Sequence, residues 1–166
     1  IPALELTATR SVCPPGSLFY AKGVAMKKEG RLREAIDMLE QAGRNPSYLL
    51  KAQAQIGLCH RSMGDYGAAI QAFRDALNIP ASRQLHIDVR YFLARTLESA
   101  GELAEATTLY HHIAQMNPCF RDAGYRAKTL SSRPKSLTSY KRRTARNESW
   151  FGNAVESFNQ LIGGRK

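Results

Sequence analysis

The sequence predicts an all-α fold, a solenoid of antiparallel helix hairpins finished by a closing helix and a C-terminal amphipathic helix. A pattern of small and large apolar residues recurs three times at a near-constant period. Alanine is abundant while Val and Ile are sparse and scattered, which favours helix over sheet. The apolar share of 43% suits a chain that buries a core, so disorder throughout is excluded.

The first unit carries Gly23, Gly30, Leu32, Ala35, Ile36, Leu39 and Ala42. The second carries Gly57, Gly64, Tyr66, Ala69, Ile70, Phe73, Ala76 and Leu77, and the third Ala94, Gly101, Leu103, Ala106, Tyr110 and Ile113. Gly30 to Gly64 is 34 residues and Gly64 to Gly101 is 37, so three extra residues fall near 81–88, as a longer helix or a wider loop. Gly30, Gly64 and Gly101 are expected to end a first helix, because a residue without Cβ takes a left-handed conformation at no steric cost. Small residues such as Gly23, Gly57 and Ala94 are expected where the two helices of a unit cross. Larger ones such as Met26, Phe73, Leu97 and Tyr110 fill the space between units. Pro46, Pro80 and Pro118 are expected to stop the second helices.

These residues resemble the tetratricopeptide-repeat family over residues 16–118, with residues 64–77 the strongest match. The resemblance implies stacked hairpins whose first helices line a concave groove. It also implies, position by position, a partner-binding set of Tyr20, Val24 and Lys27, then Lys51, Ala54, Leu58 and Arg61, then Tyr91, Arg95 and Glu98. This mixture of aromatic, aliphatic and basic side chains suits an extended or helical peptide, or a partner protein, of acidic character. One subclass of the family grips a C-terminal carboxylate in the first unit. Tyr20 and Val24 stand at those places here and only Arg95 fits, which speaks against recognition of chaperone tails.

Beyond the third unit, Asn117 and Pro118 are expected to open another helix, with Phe120, Ala123, Ala127 and Leu130 on one stripe. This resembles the helix that closes such arrays, and also the closing segment of bacterial arrays joined to regulatory or enzymatic domains, so a bacterial source is expected. The resulting division is an N-terminal extension or linker over 1–15, the array with its closing helix over 16–130, a basic linker over 131–146 and an amphipathic helix over 147–166.

The net charge of +10 is concentrated in one place. Residues 1–120 hold thirteen Lys and Arg against eleven Asp and Glu, whereas residues 121–146 hold nine against the single Asp122. The basic linker contributes Arg133, Lys135, Lys141, Arg142, Arg143 and Arg146. Nucleic acid or anionic lipid is therefore a secondary partner class, although Tyr140 is the only aromatic residue within 131–146. In the last segment Trp150, Phe151, Val155, Phe158 and Ile162 form an apolar stripe. A lone helix of this length is marginal in water, so it is expected to dock on its own array or on a partner. Its polar face carries no Lys or Arg, which argues against a membrane surface.

No Walker loop, GxSxG, HExxH or EF-hand loop occurs. His111 and His112 are adjacent and point about 100° apart on a helix, so they do not chelate as a pair. Cys13, Cys59 and Cys119 are odd in number and lack CxxC spacing, which fits a reducing compartment. The carboxylates read as solvated helix faces, mostly paired with Lys or Arg. The sequence thus predicts no enzyme, no metal and no cofactor, no transmembrane segment and a cytoplasmic setting. It opens on Ile1 rather than Met, which is read as a piece of a longer protein. The expected role is a protein-interaction scaffold or adaptor within a larger assembly. The alternatives are a secretion-type chaperone, or an accessory to anionic surfaces through 121–146.

Overall fold

The computed structural model describes residues 15–132, together with Val155 and residues 157–161. Within residues 15–132 seven helices follow in order: α1 (Pro15–Lys28), α2 (Leu32–Gly43), α3 (Pro46–Ser62), α4 (Tyr66–Leu77), α5 (Arg83–Ala100), α6 (Leu103–Met116) and α7 (Ala123–Ser131). Each packs on the next in the chain, and α1 also touches α3 while α3 touches α5. The first helices of the hairpins therefore stand side by side. This is the predicted all-α solenoid, with α7 closing the third hairpin.

The three hairpin turns share one chemistry. Gly30, Gly64 and Gly101 have φ of 82°, 82° and 92°. Across each turn a six-residue hydrogen bond caps the first helix: Arg31 N donates to Met26 O at 3.0 Å, Asp65 N to His60 O at 2.9 Å and Glu102 N to Leu97 O at 2.9 Å. Left-handed glycine with this bond satisfies the carbonyls that a helix end leaves over. Within a hairpin the crossing is equally specific. A Cβ on Gly57 would lie 2.7 Å from the Phe73 ring, and one on Gly23 would lie 2.8 Å from the Leu39 side chain. Large residues of the second helix fill the space that these positions leave empty.

Two apolar clusters result. The smaller one joins Ala35, Leu39 and Ala42 of α2 to Ala52, Ile56 and Cys59 of α3. The larger one runs from Leu58 and Phe73 through Tyr91, Phe92 and Tyr110 to Phe120 and Phe158. Its aromatic rings touch in sequence. The Phe73 and Phe92 centroids are 6.2 Å apart, Tyr91 meets Tyr110 edge-on at 6.0 Å, and Tyr91 meets Phe120 edge-on at 5.7 Å.

Three local expectations are corrected or resolved. The extra residues of the longer step lie in the loop between α4 and α5. That loop runs over residues 78–82, whereas only residues 44 and 45 separate α2 from α3. Pro46 belongs to the start of α3 rather than to the end of α2, with Asn45 as the cap accepting from Ser47 N at 3.0 Å. The missing proline N–H costs nothing in a first turn. The closing helix begins at Ala123, not at Asn117. Asn117 Oδ1 instead accepts from Cys119 N at 3.2 Å, a local turn that competes with helix formation. Arg121 then takes a φ of 49° before α7 starts.

Candidate partner-binding groove

Helices α1, α3 and α5 line the groove, and the residues assigned to it by resemblance divide into two groups. Tyr20, Val24, Lys27, Lys51, Arg61 and Glu98 are partly accessible. Ala54, Leu58, Tyr91 and Arg95 are buried, at 0%, 2%, 0% and 5% exposure, so in this arrangement they offer no open surface to a ligand. Ala54, Leu58 and Tyr91 belong to the larger apolar cluster.

Gln55, which the sequence reading did not single out, is fully buried and joins the groove at its centre. Its Oε1 accepts from Lys27 Nζ at 2.5 Å. Its Nε2 donates to the Tyr20 hydroxyl at 3.3 Å and to Asn159 Oδ1 at 2.5 Å. A buried carboxamide needs such partners, because burial without them costs on the order of 1–3 kcal/mol. Burial pushes the Tyr20 hydroxyl up to about 12, against a smaller opposing effect of its bond to Gln55.

At the other end α5 and the closing segment form a network of charges. Arg126 Nη1 donates to both Glu98 carboxylate oxygens at 3.0 Å, and Arg126 Nε donates to Asp122 Oδ2 at 2.6 Å. Tyr91 donates to Asp122 Oδ1 at 2.5 Å and Tyr110 to Glu98 Oε2 at 2.9 Å. Burial, with the neighbouring carboxylates, pushes both phenols far above their ordinary value. Arg121 pairs with the fully buried Asp88 at 3.0 Å. Its guanidinium also lies 5.0 Å from the ring centroids of Tyr91 and Phe120, within cation–π range.

The expectation that carboxylates form solvated faces is therefore corrected at Asp88, Glu98 and Asp122. It holds for exposed pairs such as Arg74 with Glu105 at 2.8 Å. The same contacts draw Arg121 and Arg126, two of the nine cations in 121–146, into the fold of the array. Arg133, Lys135, Lys141, Arg142, Arg143 and Arg146 lie outside the described residues.

Arg61 sits between the two ends. It reaches the Thr96 and Ser99 hydroxyls at 3.5 Å and 3.4 Å, across from α3 to α5. Burial first, and then the charge of Arg95, lowers its pKa to about 10. Two guanidinium groups held near each other raise the local positive potential. Among the residues of α1, α3 and α5 named above, Lys27, Lys51, Arg61 and Arg95 outnumber Asp88 and Glu98, which leaves an excess of positive charge.

The C-terminal segment reaches this surface. Phe158 is fully buried, with its ring centroid 5.1 Å from that of Phe92 at an interplanar angle of 88°. Val155 packs on the same cluster, while Leu161 is exposed at 55%. Trp150, Phe151 and Ile162, the other residues of the expected stripe, lie outside the described residues. Among the described residues no cluster of His, Cys, Asp and Glu could hold a metal ion, and no helix is long and apolar enough to cross a membrane.

The tetratricopeptide-repeat family profile matches residues 50–82, the α3–α4 hairpin and its following loop. No curated protein sequence matches the chain. Solved structures with the same architecture include the first such domain of Spaghetti (RPAP3) bound to the HSP90 peptide SRMEEVD. It aligns with a TM-score of 0.59 at 16% identity, over 70% of this chain and 90% of that one. The Arabidopsis OM64 domain aligns with a TM-score of 0.58 at 18% identity, over 70% and 94% of the two chains. The second domain of human RPAP3, in complex with the HSP70 peptide SGPTIEEVD, aligns with a TM-score of 0.54 at 17% identity, over 71% and 99%. Identities this low speak to a shared fold.

Proposed function

We propose that this chain, whose residues 50–82 match the tetratricopeptide-repeat family, is an interaction module whose concave groove binds an acidic peptide or an acidic segment of a partner protein. The observation that carries this reading is the excess of cations along α1, α3 and α5. Lys27, Lys51 and Arg61 are its partly accessible members. Arg61 lies on α3 between the two ends of the groove, where a partner carboxylate would accept a charge-assisted hydrogen bond from its guanidinium.

Two of the similar structures hold acidic peptides, SRMEEVD and SGPTIEEVD, which supports the same ligand class here. The role needs no catalytic group, and scaffold or adaptor describes it. Recognition differs in detail from carboxylate gripping in the first unit, because Tyr20 and Val24 occupy those places and Tyr20 bonds to Gln55.

The test is fluorescence anisotropy with labelled SRMEEVD, amidated at its C-terminus so that only its side-chain carboxylates are read, as a defined acidic probe. It is run on the full chain and on a Lys51→Glu, Arg61→Glu double variant of unchanged helical content. The expected outcome is salt-sensitive binding that weakens at least about tenfold in the variant, since each lost charged contact is worth roughly 1.5–3 kcal/mol. Equal affinity in both chains overturns the groove reading.

A further inference from the structure

We propose that the groove is a helix-binding slot held shut by the chain's own segment 155–161. A partner then enters by displacing that segment with an amphipathic helix that offers an aromatic side chain to Phe92 and a hydrogen-bond acceptor to Gln55. The proposal rests on the groove being the binding surface and adds how access to it is controlled.

Three observations carry it. First, the segment touches residues from two of the three helices that line the groove. Phe158 stands edge-on to Phe92 of α5, and Asn159 accepts from Gln55 of α3. Through Gln55 the contact extends to Tyr20 and Lys27 of α1. A single aromatic residue followed by a carboxamide thus addresses the whole floor of the array.

Second, the two residues that the segment meets, Phe92 of α5 and Gln55 of α3, are both fully buried. Asp88 and Tyr91 are covered instead by Arg121, Phe120 and Asp122 of the closing segment, so the stretch that segment 155–161 closes is the one around Gln55 and Phe92.

Third, the occupant is tethered. Residues 132–154, 23 in number, separate α7 from Val155. The segment is thus an intramolecular competitor for the slot rather than a second molecule. A tethered occupant of this kind lowers the apparent affinity of any competitor by the fraction of time that the slot stands open. The contact is also adjustable. Leu161 stays exposed beside the buried Phe158, so the described part of the segment is not wholly enclosed by the array.

The experiment uses the full chain and a labelled peptide of residues 147–166 as the probe. Binding is measured to the wild-type chain, to Phe158→Ala and to Asn159→Ala, with helical content checked by circular dichroism. The expected result is weak binding to the wild type, affinity at least about tenfold higher for Phe158→Ala, and a smaller gain for Asn159→Ala. The gain should disappear when the peptide itself carries Phe158→Ala. Equal affinity for all three chains overturns the proposal, as does a gain indifferent to the peptide's own phenylalanine. If Phe158→Ala unfolds, Asn159→Ala decides alone. Sedimentation should give a monomer at all concentrations, and a wild-type dimer that Phe158→Ala dissociates contradicts closure within one chain. The probe is the chain's own segment, so failure of the acidic-peptide reading does not decide this experiment, nor the reverse.

Discussion

Arg126 of the closing helix donates to both carboxylate oxygens of Glu98 on α5 at 3.0 Å, which ties the end of the array to the floor of the groove. Glu98 keeps only 14% of its side-chain surface and Arg126 only 16%. The pair is therefore poorly screened by solvent, and Asp122 and Tyr110 complete it. The charge of the carboxylates holds Arg126 fully protonated in spite of its burial. The closing helix is thus fixed by electrostatics as well as by Ala123 and Ala127.

Replacing Arg126 by Ala should destabilise the chain by roughly 1.5–3 kcal/mol, because two carboxylates lose their charged donor in a partly dry site. The urea midpoint should fall with an unchanged slope. Glu98→Gln should cost less, since Arg126 keeps Asp122. A loss of under about 0.5 kcal/mol for Arg126→Ala would mark the contact as an ordinary surface pair.

Gly57→Ala and Gly64→Ala should both destabilise, for different reasons. At Gly57 the new methyl meets the Phe73 ring at 2.7 Å, an overpacking that costs about 1–3 kcal/mol. At Gly64 nothing lies within 4 Å, but φ is +82°, which costs roughly 1–2 kcal/mol for an L side chain. Phe73→Leu should therefore relieve part of the first defect and none of the second. A double-mutant cycle by urea unfolding reads this directly, and equal coupling at both glycines would contradict it.

Stability should fall as the solution becomes alkaline. Burial holds the Cys59 thiol up at about 11, against an ordinary value of 9.0. It holds the Tyr20 hydroxyl at about 12, against 10.0. In each case the unfolded chain releases its proton first, so the native chain holds more protons across that window and is disfavoured as pH rises. The Cys59 contribution is whole below pH 9 and lost as pH passes through about 11. That of Tyr20 is whole below pH 10 and lost through about 12. Urea midpoints measured from pH 8 upward should decline, and Cys59→Ala should remove the earlier part of the decline. A profile that Cys59→Ala leaves unaltered would be inconsistent with this assignment.

The hairpins were legible in the sequence because their determinants are local. Gly64, Asp65 and Tyr66 mark a turn by themselves. The repeat also places Gly57 at a helix crossing, although Phe73, expected between units, fills that crossing as well as meeting Phe92. The charge network was not legible, because it joins residues far apart in the chain. Asp88 meets Arg121 across 33 positions and Glu98 meets Arg126 across 28. Nothing in the neighbourhood of Asp88 marks it as the partner of a residue beyond the next hairpin. Gln55 was missed for a related reason. A glutamine on a helix reads as solvated until Lys27, Tyr20 and Asn159 are seen around it. The start of α7 was misplaced because Asn117 and Pro118 serve a turn as well as they serve a cap. Among the described tail residues, Val155 and Phe158 show why an aromatic stripe found without a local partner is informative: such a face needs somewhere to go.

The most direct test of the central claim is to locate where an acidic ligand sits. In amide-resolved NMR spectra of the full chain titrated with SRMEEVD, the largest shift changes should fall on the groove, at Lys27, Lys51 and Arg61 and their neighbours on α1, α3 and α5. Changes centred on the outer face, at Arg33, Gln71 and Thr108, would contradict the account.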